Sequence, residues 1–322
     1  MRLGIILLAA ILLMVANTAM CQENRSIANI SESNSSALKD IILSSTIKPE
    51  TYTFTIDADQ RIEITNITGI NKTESQAIST RTIGVAALNL TARAIKMTMA
   101  TLLVPEGQEE GTNILATEIY ILNDTMYTKV DDNWTKIILV GPSLVTLWKQ
   151  ENEIERQREE LNNSTITLLG YENVTGINCY KIKVIPNLKA YLAIEEADNI
   201  GIQGSETGSS TTSHLNLSNL FNNTNISEIM WISKDTLLPV KSDISMNTTI
   251  SSEQLGIPPQ KTGNLEMKID TSETVMFSGF NRRINITLPE DAKNATEFPP
   301  STLILGDSRS TNSTNINATK IH

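Results

Sequence analysis

"TYTFTIDADQRIEIT", residues 51–65, decides the fold class. Tyr52, Phe54 and Ile56 alternate with threonine and aspartate, and the alternation resumes with Ile62 and Ile64 between Arg61 and Glu63. Period two sends successive side chains to opposite faces of an extended chain, so this is the pattern of a strand with one dry and one wet face. Its acidic middle, "DADQRIE", has a faint calcium-loop spacing, but it lacks the glycine and the distal glutamate of such a loop and lies inside the strand pattern. The alternation returns in "AIKMTMA" with Ile95, Met97 and Met99, and "TEIYIL", "TMYTKV" and "NWTKIILV" follow, with a tight turn at 122–124. Short pieces separated by turns imply an antiparallel meander, not a βαβ series.

The second half continues in the same way. In "YENVTGINCYKIKVIPN" (171–187) a turn leads into a strand where Tyr180, Ile182 and Val184 alternate with Lys181 and Lys183. "SEIMWISKD", "LLPVKSDISMN", "NLEMKIDTSETVMF" and "RRINITL" are further strands, and Pro239 belongs on an edge or at a bulge. A helix is expected in "PSLVTLWKQENEIERQREELNN" (142–163). Its apolar stripe of Leu144, Leu147, Trp148, Ile154 and Leu161 is dense only at the start, so the N-terminal turns should dock and the charged remainder project. A short helix in "NLKAYLAIEEA" and a polar loop over 201–225 complete the reading: α+β, a large antiparallel sheet with helices on one side.

The ends differ from this middle. Residues 1–21 carry one early arginine, an apolar run from Leu3 to Ala16 and small residues near Ala19, the pattern of a secretory signal segment. The run is short for a spanning helix. Cleavage after Cys21, lipid modification of Cys21 and an uncleaved anchor at the membrane surface are the three outcomes the residues allow. Residues 22–36 read as a polar spacer, 37–298 as the folded domain and 299–322 as a polar tail. About nineteen N-x-S/T sequons, among them Asn66, Asn71, Asn123, Asn173, Asn247 and Asn285, suggest a glycosylated, archaeal or comparable cell-surface protein. A formal net charge of −10 with no basic patch argues against a nucleic-acid or anionic-lipid partner, and "NRR" at 281–283 reads as a solvated strand end.

Catalytic chemistry is hard to place. His214 lies in the polar loop and His322 is the last residue, so neither has the rigid setting of a base or a metal ligand. Cys21 and Cys179 have no metal-site spacing; Cys179 reads as a small buried or semi-buried thiol. No phosphate-cradling glycine loop or nucleophile elbow is present. The expectation is a protein that is not an enzyme and uses no cofactor.

Three elements taken together resemble a known group. Val174, Gly176 and Tyr180 fit a strand reading V-x-G-x-x-x-Y; Trp231, Ile232, Thr236, Leu238, Pro239 and Val240 fit a hairpin reading W-I-x-x-x-T-x-L-P-V; Pro289 and Ala292 fit a terminal P-x-x-A. With Tyr120, Tyr127, Trp134 and Lys136 upstream, the stretch from Tyr52 to Ala292 resembles the LolA-like and LppX/LprG-like lipoprotein carriers. The resemblance implies a curved sheet, a half-open barrel with helices packed on the concave side, holding lipid acyl chains or a lipidated protein. Cavity candidates are then Tyr52, Phe54, Ile56, Ile95, Met97, Met99, Trp134, Leu147, Trp148, Met230 and Met267, the methionines because their flexible side chains suit an irregular pocket. The competing expectation is a structural or interaction glycoprotein of the cell envelope with the same sheet and a filled core.

Overall fold

A computed structural model describes residues 32–68, 72–105, 113–130, 132–139, 148, 152–187, 223–254 and 264–298. The expected signal segment with Cys21, the tail over 299–322, the helix at 188–197, most of the polar loop, Leu147 and Asn71 lie outside the described residues. The chain runs α1 (Glu32–Ser44), β1 (Thr51–Thr68), β2 (Lys72–Asn89), β3 (Ala94–Pro105), β4 (Asn113–Leu122), β5 (Thr125–Val130) and β6 (Asn133–Ile138). It continues through α2 (Glu153–Asn162), β7 (Ser164–Val174), β8 (Ile177–Pro186), β9 (Thr224–Ser233), β10 (Pro239–Ser251) and β11 (Asn264–Ser278) to a 3-10 turn (Asp291–Asn294) and β12 (Thr296–Phe298).

All of these strands belong to one 12-stranded sheet in the order β12-β6-β5-β4-β3-β2-β1-β11-β10-β9-β8-β7. Two antiparallel meanders, β1 to β6 and β7 to β11, meet where β1 pairs antiparallel with β11, and β12 adds to β6 in parallel. Among the described residues β12 and β7 end the order, so the sheet is open. A twisted sheet of this width curls.

The strands are longer than the short pieces read from the sequence. "TYTFTID" and "RIEIT" form a single 18-residue strand, because Ala58 and Gln60 keep the even-numbered face buried between them. The "DADQRIE" stretch is paired on both sides, with β2 and β11, and is no loop. The equally long β2 went unread. Its buried face carries Thr80, Thr82, Gly84 and Ala86 while Ile83 and Val85 point outward, so hydropathy alternates weakly and in the wrong sense.

Hairpin chemistry follows the residues more closely. Thr175 and Gly176 connect β7 to β8 with φ of 51° and 90°, the two positive values that a type I′ loop needs, and the Asn173 side chain accepts the Gly176 N–H at 2.9 Å. Pro239 sits where the β9–β10 register shifts, the bulge its missing N–H requires.

Both helices lie on the same face of the sheet. The first starts at Glu32, within the 22–36 stretch read from the sequence as a polar spacer. Ser35 is buried there and accepts the Leu168 N–H at 3.0 Å, next to the bulge between Leu168 and Gly170. Leu38 and Ile42 pack with Ile166, Leu168, Ile182, Val184, Met230 and Ile232, each burial contributing about 1.5–3 kcal/mol. Lys39 ties the helices together by donating to the Asn162 and Ser164 carbonyls at 3.0 and 2.6 Å.

The charged helix departs from its reading. Over 153–162 it is docked instead of projecting: Ile154 joins the core around Tyr52, and Leu161, two turns later, joins the core under α1. Gln157 and Glu160 are buried between them.

Candidate functional site

Register decides which side chains share a face. From Tyr52 the pairings run through Leu88, Ile95, Ile121 and Met126 to Ile137. From Ile56 in the other direction they run through Val275, Ser242, Met230 and Ile182 to Leu168. One apolar face therefore spans the sheet, and the helices cover its β7–β10 side.

The sequence candidates fall into three groups. Tyr52, Phe54, Ile95 and Met230 are fully packed. Around Tyr52 the rings of Phe54, Phe277 and Phe280 lie with centroids 6.4, 6.4 and 6.1 Å away, which fills that end of the face. Ile56, Met97, Met267 and Trp148 pack against this core but stay partly exposed, and Met99 is likewise half-buried. Ile62, Ile119 and Met126 share that state, and Ile64 on the same face is 37% exposed. Trp148 is anchored by its indole N–H, which donates to the Asn123 carbonyl at 3.0 Å.

Trp134 does not belong to this face. It stands three residues from Ile137 on β6, so it points to the opposite side, where it packs with Tyr120, Ala292 and Ala295 under the C-terminal segment. Its indole N–H donates to Asp291 at 2.9 Å, and that bond above all, with Lys129 nearby, holds the Asp291 carboxyl below the usual range. The Tyr-Tyr-Trp-Lys element of the sequence is thus a seam closing the outer face, with Tyr120 and Tyr127 directly paired.

A polar band crosses the apolar face, and the sequence reading missed it. Thr101, Thr82, Ala58, Glu273, Ile244 and Glu228 stand in one register row, with Glu228 and Glu273 both buried. Ser242 donates to Glu228, the Thr82 and Thr101 hydroxyls bond at 3.0 Å, and Gln60 in the next row donates to Thr271 at 3.3 Å. The available signal was a polar residue at the buried parity of a strand, as Glu228 is between Ile226 and Met230. Such a row interrupts the apolar surface, and the Ser242 and threonine hydroxyls answer part of its polar demand.

Cys179 is fully buried against Trp231 and Val240 on the other face, and burial raises its thiol pKa. The side chains of Asn123, Asn173, Asn247 and Asn285 are exposed, while Asn66 lies within β1. Among the described residues there is no group of three or more His, Cys, Asp or Glu able to hold a metal, and no helix long and apolar enough to cross a membrane.

The strand order and the helix-bearing face define the class: an open, mainly antiparallel sheet with two helices on one face. The chain is similar to the lipoprotein LppX of Mycobacterium tuberculosis, with 11% identity over 80% of this chain and 96% of that one and a TM-score of 0.32. It is similar also to LprF of Mycobacterium bovis (10%, 82% and 99%, TM-score 0.34) and to a LolA superfamily protein of Nitrosomonas europaea (9%, 80% and 95%, TM-score 0.18). No protein-family model and no curated protein sequence matches the chain.

Proposed function

We propose that this is an exported, non-catalytic protein of the cell surface that holds a lipid or another apolar ligand against the helix-bearing face of its sheet. The observation that carries this reading is the extent of that face. Apolar side chains continue past the packed core through Ile56, Ile62, Ile64, Met97, Met99, Ile119, Met126 and Met267, which remain partly exposed. Covering such surface with an acyl chain gains about 25 cal/mol per Å² and needs no bond making. Methionines at four of these positions let one surface fit chains of different shape.

Native mass spectrometry of full-length protein purified without detergent tests the proposal. Lipid-sized adducts are expected, and they should be depleted in Met97→Arg and Met99→Arg, which place a charge on the half-open part of the face. A bare chain mass for the wild type would point to the envelope glycoprotein with a filled core instead.

A further inference from the structure

The Arg282–Arg283 pair has no part in the apolar face. With Lys48, Glu50, Thr51 and Asn281 it lines a recess of about 400 Å³ beside the start of β1. The segment that carries it is fixed. Asn281 N–H donates to Thr51 O at 2.8 Å, Glu50 N–H donates to Asn281 Oδ1 at 2.9 Å, and Thr51 Oγ1 donates to Arg282 O at 2.6 Å. The Asn89 amide then holds Ile284 O at 3.0 Å. Gly279 and Asn281, with φ of 67° and 55°, turn the chain back onto β1.

Three cations thus line one recess of a chain whose formal net charge is −10, with Glu50 offsetting one of them. Lys48 pairs with Glu155 at 3.0 Å, whereas neither arginine has a carboxylate partner among the described residues. Each guanidinium offers parallel N–H donors matched to the spacing of oxyanion oxygens. A solvated strand end would need neither the backbone ties nor the recess.

We propose that this recess is a binding site for a phosphate-type oxyanion, carried by a lipid headgroup or free in solution. Arg282 and Arg283 supply the forked donors and Lys48 the third charge. The site is independent of the apolar face, so its test stands or falls separately from that of ligand carriage.

The experiment uses the full chain and two probes: inorganic phosphate followed by isothermal titration, and phosphatidylcholine vesicles with and without phosphatidylglycerol followed by flotation. At least one probe should bind, about tenfold more weakly in Arg282→Gln/Arg283→Gln, the loss expected for a charge-assisted hydrogen bond. Arg282→Lys/Arg283→Lys, which keeps the charge, should recover part of the binding. Flotation that requires phosphatidylglycerol, without phosphate binding, assigns the site to headgroups; phosphate binding without flotation assigns it to a soluble anion. Should the glutamine variant fold poorly, Lys48→Gln, whose side chain is 71% exposed, carries the same comparison. Binding of neither probe by the wild type, or equal binding by wild type and the glutamine variants, overturns the site.

Discussion

Trp134 shows how much a single hydrogen bond organises at the C-terminal end of the chain. Its indole N–H needs a partner once the ring is covered, and Asp291 provides one from the 3-10 turn. Because that bond lowers the Asp291 pKa in the folded state, the stabilisation is complete above the carboxyl's unfolded value, near 3.8, and is lost as pH falls through the lower folded value. Acid should therefore loosen residues 284–298 before the sheet centre, read as a change in Trp134 emission on titration from pH 6 to pH 2. Asp291→Asn should remove that step and leave the emission flat over the same range. Cys179 makes the opposite case, a group silenced by its surroundings. Buried and with a raised pKa, its thiol should stay unreactive toward a disulfide reagent at pH 7.5 in the native protein and react fully in denaturant. Rapid labelling of the native chain would contradict the burial.

Among elements, α1 is the least expected and among the most consequential. It was hidden in the sequence because "ESNSSALKDIILS" opens on polar residues, and its buried contacts are spread over Ser35, Leu38 and Ile42 instead of forming a dense stripe. Removing the Ser35 hydroxyl leaves the Leu168 N–H buried without its acceptor, so Ser35→Ala should cost about 1–3 kcal/mol. Leu38→Ala should cost about 2–5 kcal/mol through a cavity, both effects read from urea unfolding midpoints. β1 and β8 were legible because dry and wet positions alternate along them, whereas β9, buried on both faces, was legible as a short apolar run. β2 was not, since small and hydroxylated residues face the core while Ile83 and Val85, 53% and 51% exposed, face outward. The hairpin turns were readable from Gly176 and Pro239, whose backbone limits act locally. The facing of Trp134 was not, because it depends on pairings counted across several strands from Tyr52. The polar band escaped for the same reason: its members come from strands far apart in the chain and meet only in the register.

At the scale of the molecule, the charge on the chain is unevenly spent. Several of the described lysines and arginines pair with a carboxylate on a neighbouring strand, as Arg81 does with Asp57 at 2.9 Å and Lys181 with Glu172 at 2.9 Å, and others pair within their own strand, as Lys241 does with Asp243 at 2.6 Å. These exposed pairs are screened and add little stability, so raising salt from 0.05 to 0.5 M should shift the thermal midpoint only slightly. A strong salt dependence of the midpoint would show that the carboxylates dominate the sheet's balance.

The meeting of β1 with β11 has a consequence for how the protein comes into being. The first strand after α1 and the last long strand lie side by side in the centre, so the pairing from Thr53–Ser278 to Ile67–Asn264 unites opposite ends of the chain. A ribosome releases β1 long before β11, and until then β1 carries an unpaired edge along its whole length. The two meanders can form as they emerge, but the wall between them closes only after Ser278 is free, a late step with a high loop-closure cost. A chain ending at residue 263 should therefore remain two unjoined half-sheets, soluble only while something guards the β1 edge. Limited proteolysis of that truncated chain should cut throughout 51–68, a stretch the complete protein should protect.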